Sequence, residues 1–194
     1  YFAEKFSDLK IIRYKIPDFE KLSLSQKKLV YFLSQAGYSG RDIIWDQNYR
    51  HNLHIRKALE TIITNYKGDR AVDGFTKFEV YTKRVWFSNG IHHHYSMSKL
   101  KPEFSQEYFE ALCKECGVKV NDEALKAIFD LDFDNKKVNL NTALGLVKGS
   151  AVNFYDPDIT ESEVDAYYNS IKDKNDNEPV SYGLNSKLVR GEDG

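Results

Sequence analysis

Between Trp86 and Tyr95 the chain reads Trp-Phe-Ser-Asn-Gly-Ile-His-His-His-Tyr, a chain reversal followed at once by three histidines. Asn-Gly stops a helix because both residues tolerate left-handed backbone. The imidazoles of His92, His93 and His94 therefore fall on a junction rather than along a helix face. Upstream, Phe75, Phe78, Val80, Tyr81, Val85 and Trp86 recur at helical spacing and predict a helix running into that junction. Downstream the periodic segments are shorter and drift toward strand-like alternation. No other window joins chemically useful side chains to a backbone signal that would expose them.

Before the junction the chain reads as helix. Phe2, Phe6, Leu9 and Ile12 predict an amphipathic helix ended by Pro17, with Ile16 pushed toward extended geometry. Ser23 and Gln26 have the spacing of a capping box. Leu29, Val30, Phe32, Leu33 and Ala36 form the expected buried stripe of the next helix, and Gly37 its stop. Residues 42–49 and then Leu53, Ile55, Leu59, Ile62 and Ile63 predict two more helices, closed by a turn at Lys67-Gly68-Asp69. Helices joined by short turns predict an antiparallel helical layer over residues 1–100.

Residues 101–194 read as further helices plus the start of a β core. Pro102 breaks the chain. A helix is expected over 105–116 with Tyr108, Phe109, Leu112 and Cys113 on one side, closed by Gly117. Another begins at Asn121 with Leu125, Ile128 and Phe129 inward. Residues 130–141 read as a polar loop, and 143–155 fit either helix or strand. Thr160 and Glu163 cap a helix expected to reach Ile171, and 180–189 alternate as a strand. That strand has no partner in the text that follows it, and Tyr1 is no initiator Met, so the chain reads as a trimmed piece of a larger fold. The fold class expected is mainly α with a minor β part.

Charge and length exclude some roles. The 28 basic and 29 acidic residues nearly cancel, which argues against nucleic-acid binding by phosphate neutralisation. No apolar run is long enough to span a bilayer. Two cysteines are too few for a disulfide-stapled scaffold, and compartment stays open between cytoplasm and periplasm.

The chemical motifs are individually incomplete. His92 and His94 would share one face of a strand, yet no nearby carboxylate or cysteine completes a zinc set. His51 and His54 lack the Glu and the spacing of a His-Glu-x-x-His helix. Cys113 and Cys116 have redox spacing but sit at a helix C-terminus, where the dipole raises rather than lowers a thiol pKa. Asp130, Asp132, Asp134 and Asn135 open like a calcium loop, but Asn135 replaces the turn Gly and Asn141 the bidentate Glu, leaving a solvated acidic turn as the expectation. No phosphate-binding glycine loop and no Gly-x-Ser-x-Gly elbow occur.

Val85-Trp86-Phe87-Ser88-Asn89-Gly90-Ile91-His92-His93-His94-Tyr95 resembles the N-terminal lobe of bacterial dipeptidyl peptidase III, in its Bacteroidetes-type branch. Phe2-Ala3-Glu4-Lys5-Phe6, Leu29-Val30-Tyr31-Phe32-Leu33-Ser34-Gln35-Ala36, Gly40-Arg41-Asp42-Ile43, Thr64-Asn65-Tyr66-Lys67-Gly68-Asp69 and Ser181-Tyr182-Gly183-Leu184-Asn185-Ser186 look similar too. Members of that family are two-lobed zinc exopeptidases that release dipeptides from the N-termini of oligopeptides. Their upper lobe holds zinc through His-Glu-x-x-Gly-His and a further Glu, and neither motif occurs in this sequence.

The resemblance implies a lower-lobe piece, inactive alone, that binds no zinc itself and forms one wall of a cleft for oligopeptide substrate with the C-terminal remainder of the polypeptide. Aligned on Ser88, Asn89 and Gly90, the family's substrate-facing segment falls on His94, Tyr95 and Ser96, and Asn89 joins them as a candidate substrate contact. His92 and His93 depart from the family's Tyr and Lys. The triple histidine then reads as cleft lining. The alternative is a stand-alone, non-catalytic helical module that binds peptides or a protein partner.

Overall fold

A computed structural model describes residues 1–141, 143–175 and 187–192. The chain is mainly helical with one small antiparallel sheet, as its periodicity predicts. Among the described residues, eight α-helices follow a two-stranded hairpin: α1 Leu24–Ser39, α2 Arg41–Asn48, α3 Asn52–Asn65, α4 Asp73–Ser88, α5 Gln106–Glu115, α6 Asp122–Phe129, α7 Leu146–Gly149 and α8 Glu161–Ile171. Among the described residues no helix is long and apolar enough to cross a membrane.

Side-chain caps place four of these helix starts. Gln26 N–H donates to Ser23 Oγ, and Gln26 Oε1 takes the Ser23 N–H at 2.9 Å, completing the box that opens α1. Thr160 and Glu163 do the same for α8. Ser105 and Asn121 accept from the third residue of α5 and α6. At the far end of α5, Gly117 takes φ 68° and closes the helix as expected.

The core lies where α3, α4, α5 and α6 meet. Ile55, Leu59 and Ile62 of α3 face Phe75, Phe78 and Val85 of α4, all without solvent exposure. Phe78 is the hub of an aromatic cluster, with ring centroids 5.7 Å from Phe75, 5.6 Å from Phe104 and 6.2 Å from Phe109. On α6 the fully buried residues are Ala124, Ala127 and Ile128, while the larger Leu125 and Phe129, expected inward, are half-buried at the core's edge.

Two regions depart from the sequence expectations, residues 1–17 and α1. Residues 1–17 form no helix: β1 Phe2–Phe6 pairs with β2 Leu9–Ile12 across a turn in which Ser7 takes φ 50°. Phe6 opposes Leu9 and Phe2 opposes Ile12, so four apolar positions that mimic a helical stripe are cross-strand pairs instead. Helix α1 runs through Gly37 to Ser39, and its expected buried stripe is exposed, with Leu29 at 58%, Phe32 at 64% and Leu33 at 63%. Within 143–155 only the single turn α7 is helical. Tyr155 then pairs in parallel with Leu188, which donates to Phe154 O at 2.8 Å and accepts from Asp156 N–H at 3.1 Å. The end of the expected strand thus has a partner upstream in the chain; its residues 180–186 lie outside the described residues.

Because Phe78 is sealed on every side, Phe78→Ala is expected to lower unfolding free energy by about 3–5 kcal/mol, read as a fall in the urea midpoint. A change below about 1 kcal/mol would place the core elsewhere.

Candidate functional site

Helix α4 ends at Ser88. Asn89 takes the left-handed conformation at φ 51° and Gly90 follows at φ 148°. Gly90 is required twice over, by that φ and because an added Cβ would lie 2.2 Å from the Asn52 side chain. Asn52, buried at 1%, clamps the reversal: its amide donates to Trp45 O at 3.1 Å and its carbonyl accepts from Ile91 N–H at 3.1 Å. One turn earlier Asn48 donates to Asn89 O at 3.0 Å. The α2–α3 corner therefore grips the chain where it leaves α4.

Residues 91–100 then make a short excursion out and back. Leu100 N–H donates to Ile91 O at 2.8 Å, closing the base on two buried aliphatic side chains. His93 N–H donates to Ser98 O at 2.7 Å higher up. At the tip, His93 Nδ1 accepts the amides of Tyr95 at 3.2 Å and Ser96 at 3.0 Å. An Nδ1 that accepts leaves the neutral ring's proton on Nε2, which faces Asp8 Oδ2 at 3.6 Å.

The three imidazoles have three different environments. His92, expected to line a cleft, is buried at 1%. Its Nε2 donates to Asp134 O at 2.7 Å, and its ring meets Tyr49 edge-on at 5.2 Å. Its Nδ1 has no hydrogen-bond partner among the described residues, so a second proton would be buried without an acceptor. Burial first, and then Lys99 and Lys137, push its pKa down to about 4, against the carbonyl's opposing pull. His93 is half-buried and spent on the turn. His94 is exposed, leaning on Phe87 with ring centroids 4.8 Å apart; partial desolvation and the His93 ring lower its pKa.

Of the sequence candidates, His94, Tyr95 and Ser96 are thus brought together on one exposed tip, with Tyr95 at 86% exposure. Asn89 sits apart, at the helix end, where its backbone carbonyl is held by Asn48. The tip offers an imidazole, a phenol and a hydroxyl for hydrogen bonding beside apolar ring surface. Among the described residues, neither the Tyr95 nor the Ser96 hydroxyl is bonded to an imidazole.

Of the imidazole nitrogens, His92 Nε2 and His93 Nδ1 are committed to backbone groups. Among the described residues no cluster of three or more His, Cys, Asp or Glu side chains has metal-holding geometry. Cys113 is buried, and its thiol is pushed up to about 11 by that burial and then by Cys116 and Glu110.

Sequence reasoning missed the support beneath the tip. Asp134, expected in a solvated acidic turn, is half-buried: Tyr49 Oη donates to its Oδ2 at 2.8 Å and Arg50 Nη2 meets the same oxygen at 3.0 Å. Arg50 Nε also donates to His51 Nε2 at 3.2 Å. Lys99 Nζ donates to the carbonyls of Asp130 at 2.9 Å and of Phe133, and burial pushes its pKa down to about 8. A cavity of about 260 Å³ opens beside Arg50 and Asp134, lined also by Ser150, Asn153 and Tyr155. Asn52 was the legible clue: it shares the helical stripe of Ile55, Leu59 and Ile62, and a polar residue on a buried stripe needs partners.

No protein-family model matches the sequence, and no curated protein matches it.

Gly90→Ala is expected to cost about 1–3 kcal/mol and to perturb His94 and Tyr95 amide shifts, since the strain falls on the Asn52 clamp. The His92 shift sets a pH dependence. The folded value lies below the ordinary 6.5, so the unfolded chain takes the proton first. Its contribution, about 3 kcal/mol, is full above pH 6.5 and lost as the pH falls toward 4. His51, lowered by burial and by Arg50, acts in the same direction. A His92 ring seen by NMR to titrate near its ordinary value would refute this burial.

Proposed function

We propose that this chain is the N-terminal, lower-lobe part of a zinc-dependent dipeptidyl peptidase III, shaping the cleft from which N-terminal dipeptides are released from oligopeptides. The observation that carries the reading is the 94–96 tip: exposed His94, Tyr95 and Ser96 on a base immobilised by Asn52 and His92. It falls on the segment that the family resemblance assigns to substrate contact. A rigid tip loses little conformational entropy on binding. Tyr95 offers ring surface for an apolar side chain, while its hydroxyl and the His94 imidazole meet peptide N–H and C=O groups.

In this reading the metal belongs to the remainder of the polypeptide and supplies the water activation. This chain's own residues bind and orient. The exposed α1 face supports that division, because Leu29, Phe32 and Leu33 are apolar surface of the kind that another part of a larger protein covers. A stand-alone peptide-binding module is the second reading, favoured by a core around Phe78 that closes without further chain.

The chain by itself is expected to release no dipeptide from an arginine-arginine chromogenic substrate; activity in the purified 194-residue chain would overturn the proposal. In a longer polypeptide carrying His-Glu-x-x-Gly-His, Tyr95→Ala is expected to raise KM about tenfold with kcat little changed. An open reading frame without such a motif would favour the stand-alone module. Leu29→Glu with Phe32→Glu is expected to reduce self-association of the isolated chain in sedimentation velocity. A monomer in both forms would show that α1 tolerates water unaided.

A further inference from the structure

On the side of α3 that faces α5, His54, Lys57, Ala58 and Thr61 meet Gly117, Val118 and Lys119 around an open groove of about 320 Å³. His54, Lys57 and Lys119 are exposed at its edge, and Ala58 and Val118 give it an apolar floor. No carboxylate lines it. Lys77, Lys83, Arg56 and Arg190 each reach a carboxylate at 2.6–2.7 Å. Among the described residues, Lys57 and Lys119 make no ion pair and no side-chain hydrogen bond.

Helix capping does not account for Lys119. Three of the last four carbonyls of α5 are already taken by backbone, with Cys116 N–H on Leu112 O at 3.0 Å, Val118 N–H on Cys113 O at 2.8 Å and Gly117 N–H on Lys114 O at 3.3 Å. Lys119's own N–H has no acceptor among the described residues. Gly117 carries no side chain over the groove, and the space where its Cβ would stand is open. A solvated helix face explains positive charge along α3; it does not explain cations from two separate elements bordering one concavity without a counter-charge.

We propose that this groove binds a phosphate-class oxyanion, either free phosphate or the phosphoryl group of a small monoester. The Lys57 and Lys119 ammonium groups flank the anion, His54 and the Lys119 N–H add donors, and the apolar floor strengthens the attraction by excluding water from one side. A dianion suits the site better than a carboxylate because two lysine charges border it from opposite elements. The site is independent of the 94–96 tip and of the peptidase reading.

The test is ligand-observed phosphorus NMR of inorganic phosphate with the full chain at fixed ionic strength. Saturable line broadening is expected, weakened at least about tenfold in Lys57→Gln with Lys119→Gln and unchanged in Lys15→Gln, a lysine outside the groove. Glycerol phosphate in place of phosphate distinguishes the sources: equal binding means that a monoester is accepted, and binding of phosphate alone means the free anion. Absence of saturation in the unmodified chain overturns the proposal whatever the variants do. Equal broadening in the double variant, with its circular dichroism unchanged, also overturns it.

Discussion

Asp134 is used twice, and the site is assembled around that double use. Its carbonyl takes the His92 proton at 2.7 Å while its carboxylate takes the Tyr49 hydroxyl at 2.8 Å and the Arg50 guanidinium at 3.0 Å. The left-handed backbone at Asp134, φ 49°, brings both groups to partners on the same side of the turn, a conformation that Asp adopts more readily than most residues. Tyr49 is sealed in the core and needs an acceptor for its hydroxyl; Asp134 is half-buried and needs a cation. Each answers the other's requirement. The α2–α3 corner, the 134 turn and the histidine excursion are thereby one unit rather than three loops.

That unit shows where sequence reading succeeds and where it stops. Ser23 with Gln26, Thr160 with Glu163, and the glycine after α5 act within a few residues, so their signals survive in a single sequence. The one-sided burial of α3 and α4 is likewise visible as periodicity. Asp134 is different. Its partners lie 85 residues away at Tyr49 and 42 away at His92, and nothing local distinguishes it from the neighbouring solvated Asp132. The hairpin of β1 and β2 was misread for a related reason. Its apolar pairs oppose one another across a tight turn, and the intervals between them coincide with those of a helix.

Helix α1 marks a second limit. Its apolar residues were legible, and so was its start, but periodicity says only that a face wants cover. It does not say what covers it. The sequence places Leu29, Val30, Phe32 and Leu33 close together, and in the chain all four meet solvent. Helix α3 packs against α2, α4 and α5, whereas the main helical neighbour of α1 among the described residues is α2. Burial is therefore a property of the assembled surroundings, and amphipathicity alone cannot assign it.

The three adjacent histidines carry the same lesson to chemistry. A run of identical side chains suggests a shared task, yet the backbone assigns each a separate one. His92 is sealed and monodentate toward a carbonyl; His93 is consumed in shaping the tip; only His94 keeps an imidazole at the surface. The first two fix the turn that presents the third. Tyr95 and His94 project from a turn whose Tyr95 and Ser96 amides are already bonded and whose base is closed at Ile91 and Leu100, so the tip is held by the chain's own hydrogen bonds. Contact chemistry at the tip and polar bonding beneath it are in this way two consequences of one chain reversal at Gly90.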